Sequence, residues 1–186
     1  MKLIILDRDG VINYDSDDYI KSPEEWSPIP GSLEAIARLT RAGYRIVVAT
    51  NQSGVGRGLY DLETLQRIND KMNHAVAAEG GAIEAIFFCP HTPEDHCDCR
   101  KPKPGLLRDI AASLQVDLKG VPAIGDSLRD IQAAQAVGAR PILVRTGKGE
   151  GTVVRGEGLA GVPVYPDLAA AVDALLLEAA DAASRS

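Results

Sequence analysis

Asp7-Arg8-Asp9-Gly10 sets two carboxylates two residues apart, directly after the apolar run LIIL. A carboxylate that attacks phosphorus and is later released divides phosphoryl transfer to water into two easier steps. A second carboxylate beside it can protonate the departing alkoxide and later deprotonate the incoming water. Gly10 permits a sharp turn and close backbone approach. Taken alone, DRDG fits a solvated turn after a strand equally well. Other residues must decide.

Two further apolar runs end in the same way, IVVA on Thr50 and PAIG on Asp126. Thr50-Asn51-Gln52-Ser53-Gly54 offers two hydroxyls, two amides and a glycine, donors suited to phosphate oxygens or to a capped turn. Asp126 fits either a helix N-cap or a Mg²⁺ ligand, since hard cations take oxygen donors. Asp130 either braces that site or simply sits in a first helical turn, where acids are favoured. Arg100 and Lys101 stand before Pro102 and Pro104 in a basic loop held extended. Ligands of a parallel α/β sheet bind beyond the carboxyl ends of its strands. Asp7, Asp9, Thr50, Asn51, Lys101 and Asp126 are therefore expected to converge on one Mg²⁺-dependent phosphoryl-transfer centre.

All three cysteines cluster, as Cys89-Pro90-His91 and Cys97-Asp98-Cys99. Three thiols and an imidazole suit a closed tetrahedral zinc site, although the spacing is tighter than in a common zinc finger. His96 is a substitute ligand on this reading, and the alternative is a reduced, metal-free cluster. Zinc would fix a loop that runs straight into Arg100 and Lys101. His74 is expected to be a surface histidine.

These residues need a scaffold, and the hydrophobic pattern supplies one. Strands are expected at residues 2–6, 44–49, 83–88, 121–124 and 141–144, with an edge piece at 162–165. Helices lie between them: one carrying Leu33, Ile36 and Ala37 and stopping near Gly43, and one N-capped by Asp61 and ending at Gly80. Others start at Pro104, at about Leu128 and at Asp167, with residues 182–186 expected to fray. Regular βα alternation implies a doubly wound, mainly parallel sheet. An acidic segment over residues 13–21 and prolines at 23, 28 and 30 form a candidate flap. Too few residues separate these elements for a large cap. One domain spans 1–186 on this reading.

A chain of 186 residues, 45% hydrophobic and 25% charged, is ordinary for a globular protein. A net charge of −6 argues against nonspecific nucleic-acid binding. No apolar run approaches a membrane span or a signal-peptide core, so no membrane partner is expected, and with the clustered cysteines this points to a cytoplasmic location; a monomer is expected.

The ordered set strand–DxDG, strand–TN, KPxPG and strand–GDSxxD resembles the haloacid-dehalogenase-like phosphohydrolase superfamily. The match covers residues 2–144. The resemblance implies a Rossmann-like core, Asp7 as nucleophile and Asp9 as general acid/base. Mg²⁺ would be held by Asp7, the Asp9 main-chain carbonyl and Asp126. Thr50 would bond the transferring phosphoryl group and Lys101, rather than Lys103, would neutralise it. Asp130 would neighbour the metal.

DRDGVIN, TNQSGVGRG, CPH…CDCRKPKPG and GDSLRD together resemble, more narrowly, the heptose bisphosphate 7-phosphatase family. That resemblance implies removal of the 7-phosphate of D-glycero-D-manno-heptose 1,7-bisphosphate, in ADP-heptose synthesis for lipopolysaccharide or related glycans. Substrate contacts would fall on Asp15, Ser16, Asp17, Asp18 and Tyr19 of the flap, on Thr50, Asn51, Gln52 and Ser53, on Arg100 and Lys101, and on Ser127. Zinc would be held by Cys89, His91, Cys97 and Cys99. Two departures bear on specificity: some relatives carry a basic residue at the Ser127 position, and the segment from His91 to Cys97 is short here. Histidinol-phosphate phosphatase shares the core and a similar zinc loop and is the rival reading. A non-catalytic phosphosugar- or partner-binding domain is a second rival, opposed by the intact carboxylate pair.

Overall fold

In the computed structural model, which describes residues 2–186, the strands are β1 (Lys2–Leu6), β2 (Tyr44–Asn51), β3 (Ala85–Cys89), β4 (Pro122–Gly125), β5 (Arg140–Val144) and β6 (Val164–Tyr165). Between and after them lie α1 (Ser32–Arg41), α2 (Ser53–Gly56), α3 (Leu62–Ala78), α4 (Gly105–Leu114), α5 (Leu128–Ala136), α6 (Gly149–Arg155) and α7 (Leu168–Ser184). The sheet is parallel throughout, in the order β3-β2-β1-β4-β5-β6. Winding runs outward from β1 to β3, then restarts on the other side at β4. The crevice where the order reverses, between β1 and β4, is where such sheets bind ligands.

Strand β1 shows why the sheet must be covered on both faces. Ile4 and Leu6 enter one core with Ile36, Ile68, Met72 and Val172, whereas Leu3 and Ile5 enter the other with Leu107, Ile110 and Ala134. Period-two alternation therefore buries every residue after Lys2. Trp26, in the segment before α1, is buried in the first core and pins the flap's return arm. Asp61 caps α3 as expected, its carboxylate accepting from the Thr64 amide. No helix among the described residues is long and apolar enough to cross a membrane.

Five elements differ most from expectation. β2 continues through Thr50 and Asn51, because these pair with Phe88 and Cys89 of β3. β3 itself starts two residues late, at Ala85. α2 and α6 are unpredicted; both are short and glycine-bearing, so propensity gives them no signal. α7 runs to Ser184 rather than fraying from 182.

Candidate active site

At the switch point the Asp7 amide bonds the Ile124 carbonyl at 2.9 Å, tying the end of β1 to β4. Asp7 Oδ1 accepts from the Arg8 amide at 2.8 Å and lies 3.3 Å from Lys101 Nζ. Asp126, one residue past β4, accepts the Lys148 amide on Oδ2 at 2.9 Å. Gly10 passes behind it with φ +85°, and a Cβ there would stand 2.0 Å from Asp126 Oδ2. Only glycine makes that turn.

Asp7, Asp126 and Asp130 can bring one carboxylate oxygen each within 4.8 Å of one another. Burial, then the nearby Asp130, pushes the Asp7 carboxyl up to about 7, against the pull of Lys101. Burial, then Asp7, pushes Asp126 up to about 8. Two carboxylates so crowded are short of positive charge, and an oxygen-preferring divalent cation fits that deficit. Asp130 is different. Its Oδ1 takes Lys101 at 2.6 Å, and its Oδ2 takes the Asp126 amide, the Ser127 amide and the Ser127 hydroxyl. With both oxygens engaged, Asp130 is a brace.

The Asp9 carboxylate turns away from that trio. Its Oδ1 receives Nε and Nη2 of the fully buried Arg8 and Nδ2 of Asn13, all near 3 Å, and its Oδ2 receives Gln52 Nε2 at 2.9 Å. Burial disfavours its charge, but Arg8 and these hydrogen bonds outweigh it and hold the carboxyl below its ordinary range. Gln52 also donates to Thr50 Oγ1 at 2.9 Å and accepts from the Tyr60 hydroxyl at 2.6 Å, so both its N–H groups are engaged. Lys101 Nζ reaches the Ala49 carbonyl at 2.8 Å as well as Asp7 and Asp130.

These groups open into a cleft of about 270 Å³. Asp7, Asp9, Thr50, Asn51, Gln52, Ser53, Arg100, Lys101, Asp126 and Ser127 line it, as do flap residues Asp15, Ser16, Asp17 and Tyr19. Asp18 is exposed and does not line it; its carbonyl accepts from Lys21 instead. Three cations unremarked in the sequence also line the cleft: Arg57, Arg129 and Lys148. Arg57 lies one helical turn past Ser53, and Arg129 sits in the first turn of α5, so strand-end reasoning carried one turn further would have found both. Lys148 pairs with Asp15 of the flap and belongs to an unpredicted loop, with no signal in its neighbours.

Beside the cleft, Cys89 Sγ lies 3.0 Å from Cys99 Sγ, 3.6 Å from Cys97 Sγ and 3.5 Å from His91 Nδ1. His91 Nδ1 is 3.3 Å from Cys99 Sγ. Ligand edges around a tetrahedral zinc with Zn–S near 2.3 Å are roughly 3.5–3.8 Å, so the set fits that ion with little adjustment. His96 stands outside the cluster. Burial opposes ionisation of Cys97, yet the Arg100 amide and bonds from the other thiols lower it to about 7. Such a thiol is readily ionised for a metal.

Comparison with known proteins carries the site further. A family model described as polynucleotide kinase 3 phosphatase matches residues 2–130, and one described as HAD-hydrolase-like matches residues 98–171. The D-glycero-beta-D-manno-heptose-1,7-bisphosphate 7-phosphatase of Bordetella bronchiseptica is 59% identical, over 96% of this chain and 100% of its own length. Its counterpart from Pseudomonas aeruginosa is 55% identical, over 94% and 97%. The crystal structure of the B. bronchiseptica D,D-heptose 1,7-bisphosphate phosphatase, complexed with magnesium and phosphate, superposes with a TM-score of 0.94 over 96% of this chain and 99% of that one. The corresponding Burkholderia thailandensis structure, 48% identical, gives 0.76 over 95% and 99%. The chain belongs to the D-glycero-D-manno-heptose-1,7-bisphosphate 7-phosphatase family of HAD-like hydrolases.

Proposed function

We propose that this protein removes the 7-phosphate of D-glycero-D-manno-heptose 1,7-bisphosphate. The observation that carries the proposal is the gathering of Asp7, Asp9, Thr50, Lys101 and Asp126 on one cleft in a chain 59% identical to an enzyme of that name. Asp9, a carboxylate in the free protein, takes up a proton from solvent when substrate binds; Asp7 then attacks phosphorus, and the sugar alkoxide leaves with that proton. Asp9, now a carboxylate, takes a proton from water, which attacks the aspartyl phosphate and frees Asp7 with inorganic phosphate. Thr50 bonds the phosphoryl oxygens and Lys101 offsets their charge. Asp7, Asp126 and the Asp9 main-chain carbonyl would hold Mg²⁺, which supplies charge stabilisation to the transferring group. The magnesium in the B. bronchiseptica structure supports magnesium as the ion.

A monomer of one domain is part of the proposal. Three free thiols fit a reducing compartment, here the cytoplasm. Cys89, His91, Cys97 and Cys99 are read as a zinc site. Protein purified without added zinc should contain about one zinc per chain that survives mild chelation, whereas Mg²⁺ is removed reversibly. Absence of zinc, with all three thiols freely alkylated, would leave the loop without a metal role.

A bisphosphate needs a second anion site, and Arg57, Arg100 and Arg129 are its proposed members. Burial, then Arg129, lowers the pKa of Arg100, and its Nη1 is buried with no hydrogen-bond partner among the described residues. An anion there would relieve both. Arg100→Ala should lower kcat/KM for the bisphosphate by about 10- to 100-fold, as expected for a lost charge-assisted bidentate contact. Use of a small generic phosphomonoester should change far less, whereas Lys101→Ala should damage both. Equal losses on both substrates in Arg100→Ala would remove Arg100 from distal recognition.

A further inference from the structure

We infer that Asn51 is a positioning residue that fixes the main chain of Lys101. Its Nδ2 donates to the Lys101 carbonyl at 3.1 Å, and its Oδ1 accepts the Lys101 amide at 3.1 Å. A carboxamide has the donor and acceptor of a peptide group, so Asn51 binds Lys101 as a neighbouring strand would. Few side chains serve: aspartate lacks the donor, and serine cannot span both groups.

The frame on which Asn51 stands is rigid. It is the last residue of β2 and pairs with Cys89 in the sheet. The Gln52 amide bonds the Cys89 carbonyl at 2.7 Å and the Gly56 amide bonds Pro90 at 2.9 Å, which fastens the cysteine loop to the same strand end. Lys101 itself lies in neither a strand nor a helix, between that loop and α4. Two residues before Asn51, the Ala49 carbonyl receives Lys101 Nζ at 2.8 Å. One strand thus grips the lysine twice, at its main chain through Asn51 and at its ammonium through Ala49. The remaining ammonium contacts go to Asp130 and Asp7. A small drift of the Lys101 backbone would cost all three contacts together.

This inference rests on the proposed role of Lys101 in neutralising the transferring phosphoryl group. The test is a double-mutant cycle with Lys101→Ala, Asn51→Ala and both, measuring kcat and KM on a phosphomonoester, with zinc content and thermal midpoint recorded. Misplacement of a catalytic group by about 1 Å is worth about 10²-fold, so Asn51→Ala should lower kcat by about 10- to 100-fold with KM little changed. Lys101→Ala should lower it by about 10²–10³-fold. The double variant should fall within about threefold of Lys101→Ala, because an absent lysine cannot be misplaced. Losses that multiply would overturn the inference, whether they come from a raised KM, as for a substrate contact, or from lost zinc and a lower midpoint, as for a general structural role. A harmless Lys101→Ala would overturn the role of the lysine and the positioning with it. Asn51→Leu, of similar volume and without either hydrogen bond, carries the same cycle if the alanine variant does not fold.

Discussion

Asp7→Asn should abolish turnover while leaving the metal-free fold at least as stable as the parent. An amide cannot form the acyl phosphate, and loss of a covalent nucleophile is worth on the order of 10⁴–10⁶-fold. The stability half follows from the same crowding. Burial and Asp130 raise the Asp7 carboxyl from its ordinary 3.8 to about 7. A carboxyl raised in the folded state binds its proton more tightly there than when unfolded, so the fold loses stability as pH climbs from about 4 to about 7. Asparagine removes that loss. Compared without metal, the variant should melt no lower than the parent at pH 7 and gain on it as pH rises through this window. Substantial hydrolysis by the folded variant would sink the covalent mechanism.

Asp9→Asn should fail differently. Loss of general acid and base assistance is worth about 10²–10⁴-fold in rate. The deficit should be largest for an alkyl phosphate and smallest, in kcat/KM, for an aryl phosphate whose leaving group needs no proton. Stability should fall too. Arg8 is fully buried and Asp9 is its one ionic partner among the described residues. Stripping one charge from a buried pair costs up to about 3–5 kcal/mol, with the low end expected where an amide oxygen still accepts. Chemical denaturation reads that cost directly. A variant as stable as the parent would mean that Arg8 finds other compensation, notably from Asn69, whose Oδ1 lies 3.2 Å from Nη1.

The opposite stability signs could not be foreseen from DRDG. Its two carboxylates are equivalent on paper; folding sends Asp7 toward Asp126 and Asp9 toward a buried arginine. What is legible in the chain is whatever depends on local pattern. Apolar runs ending on Asp7, Thr50 and Asp126 locate the crevice, because a parallel strand buried on both faces must read as an uninterrupted apolar run. The cysteine and histidine spacing locates the thiol–imidazole cluster, because its members lie close together in the chain. Partnerships made across the sheet are not legible. Pairing with β3 draws Asn51 into β2, and the Asn51 amide meets the Lys101 main chain across fifty residues of chain. Gln52, expected at the substrate, lines the cleft and also ties Asp9, Thr50 and Tyr60 together, a linkage no local pattern announces. Arg57, Arg129 and Lys148 sit on surfaces where a charge is unremarkable until the fold turns it inward.

The most direct measurement compares kcat/KM of the Mg²⁺-loaded protein for D-glycero-D-manno-heptose 1,7-bisphosphate and for histidinol phosphate, with phosphorus NMR identifying which phosphate is released. Strong preference for the bisphosphate and a heptose 1-phosphate product are expected. Equal or better turnover of histidinol phosphate, or release of the 1-phosphate, would contradict the proposed function.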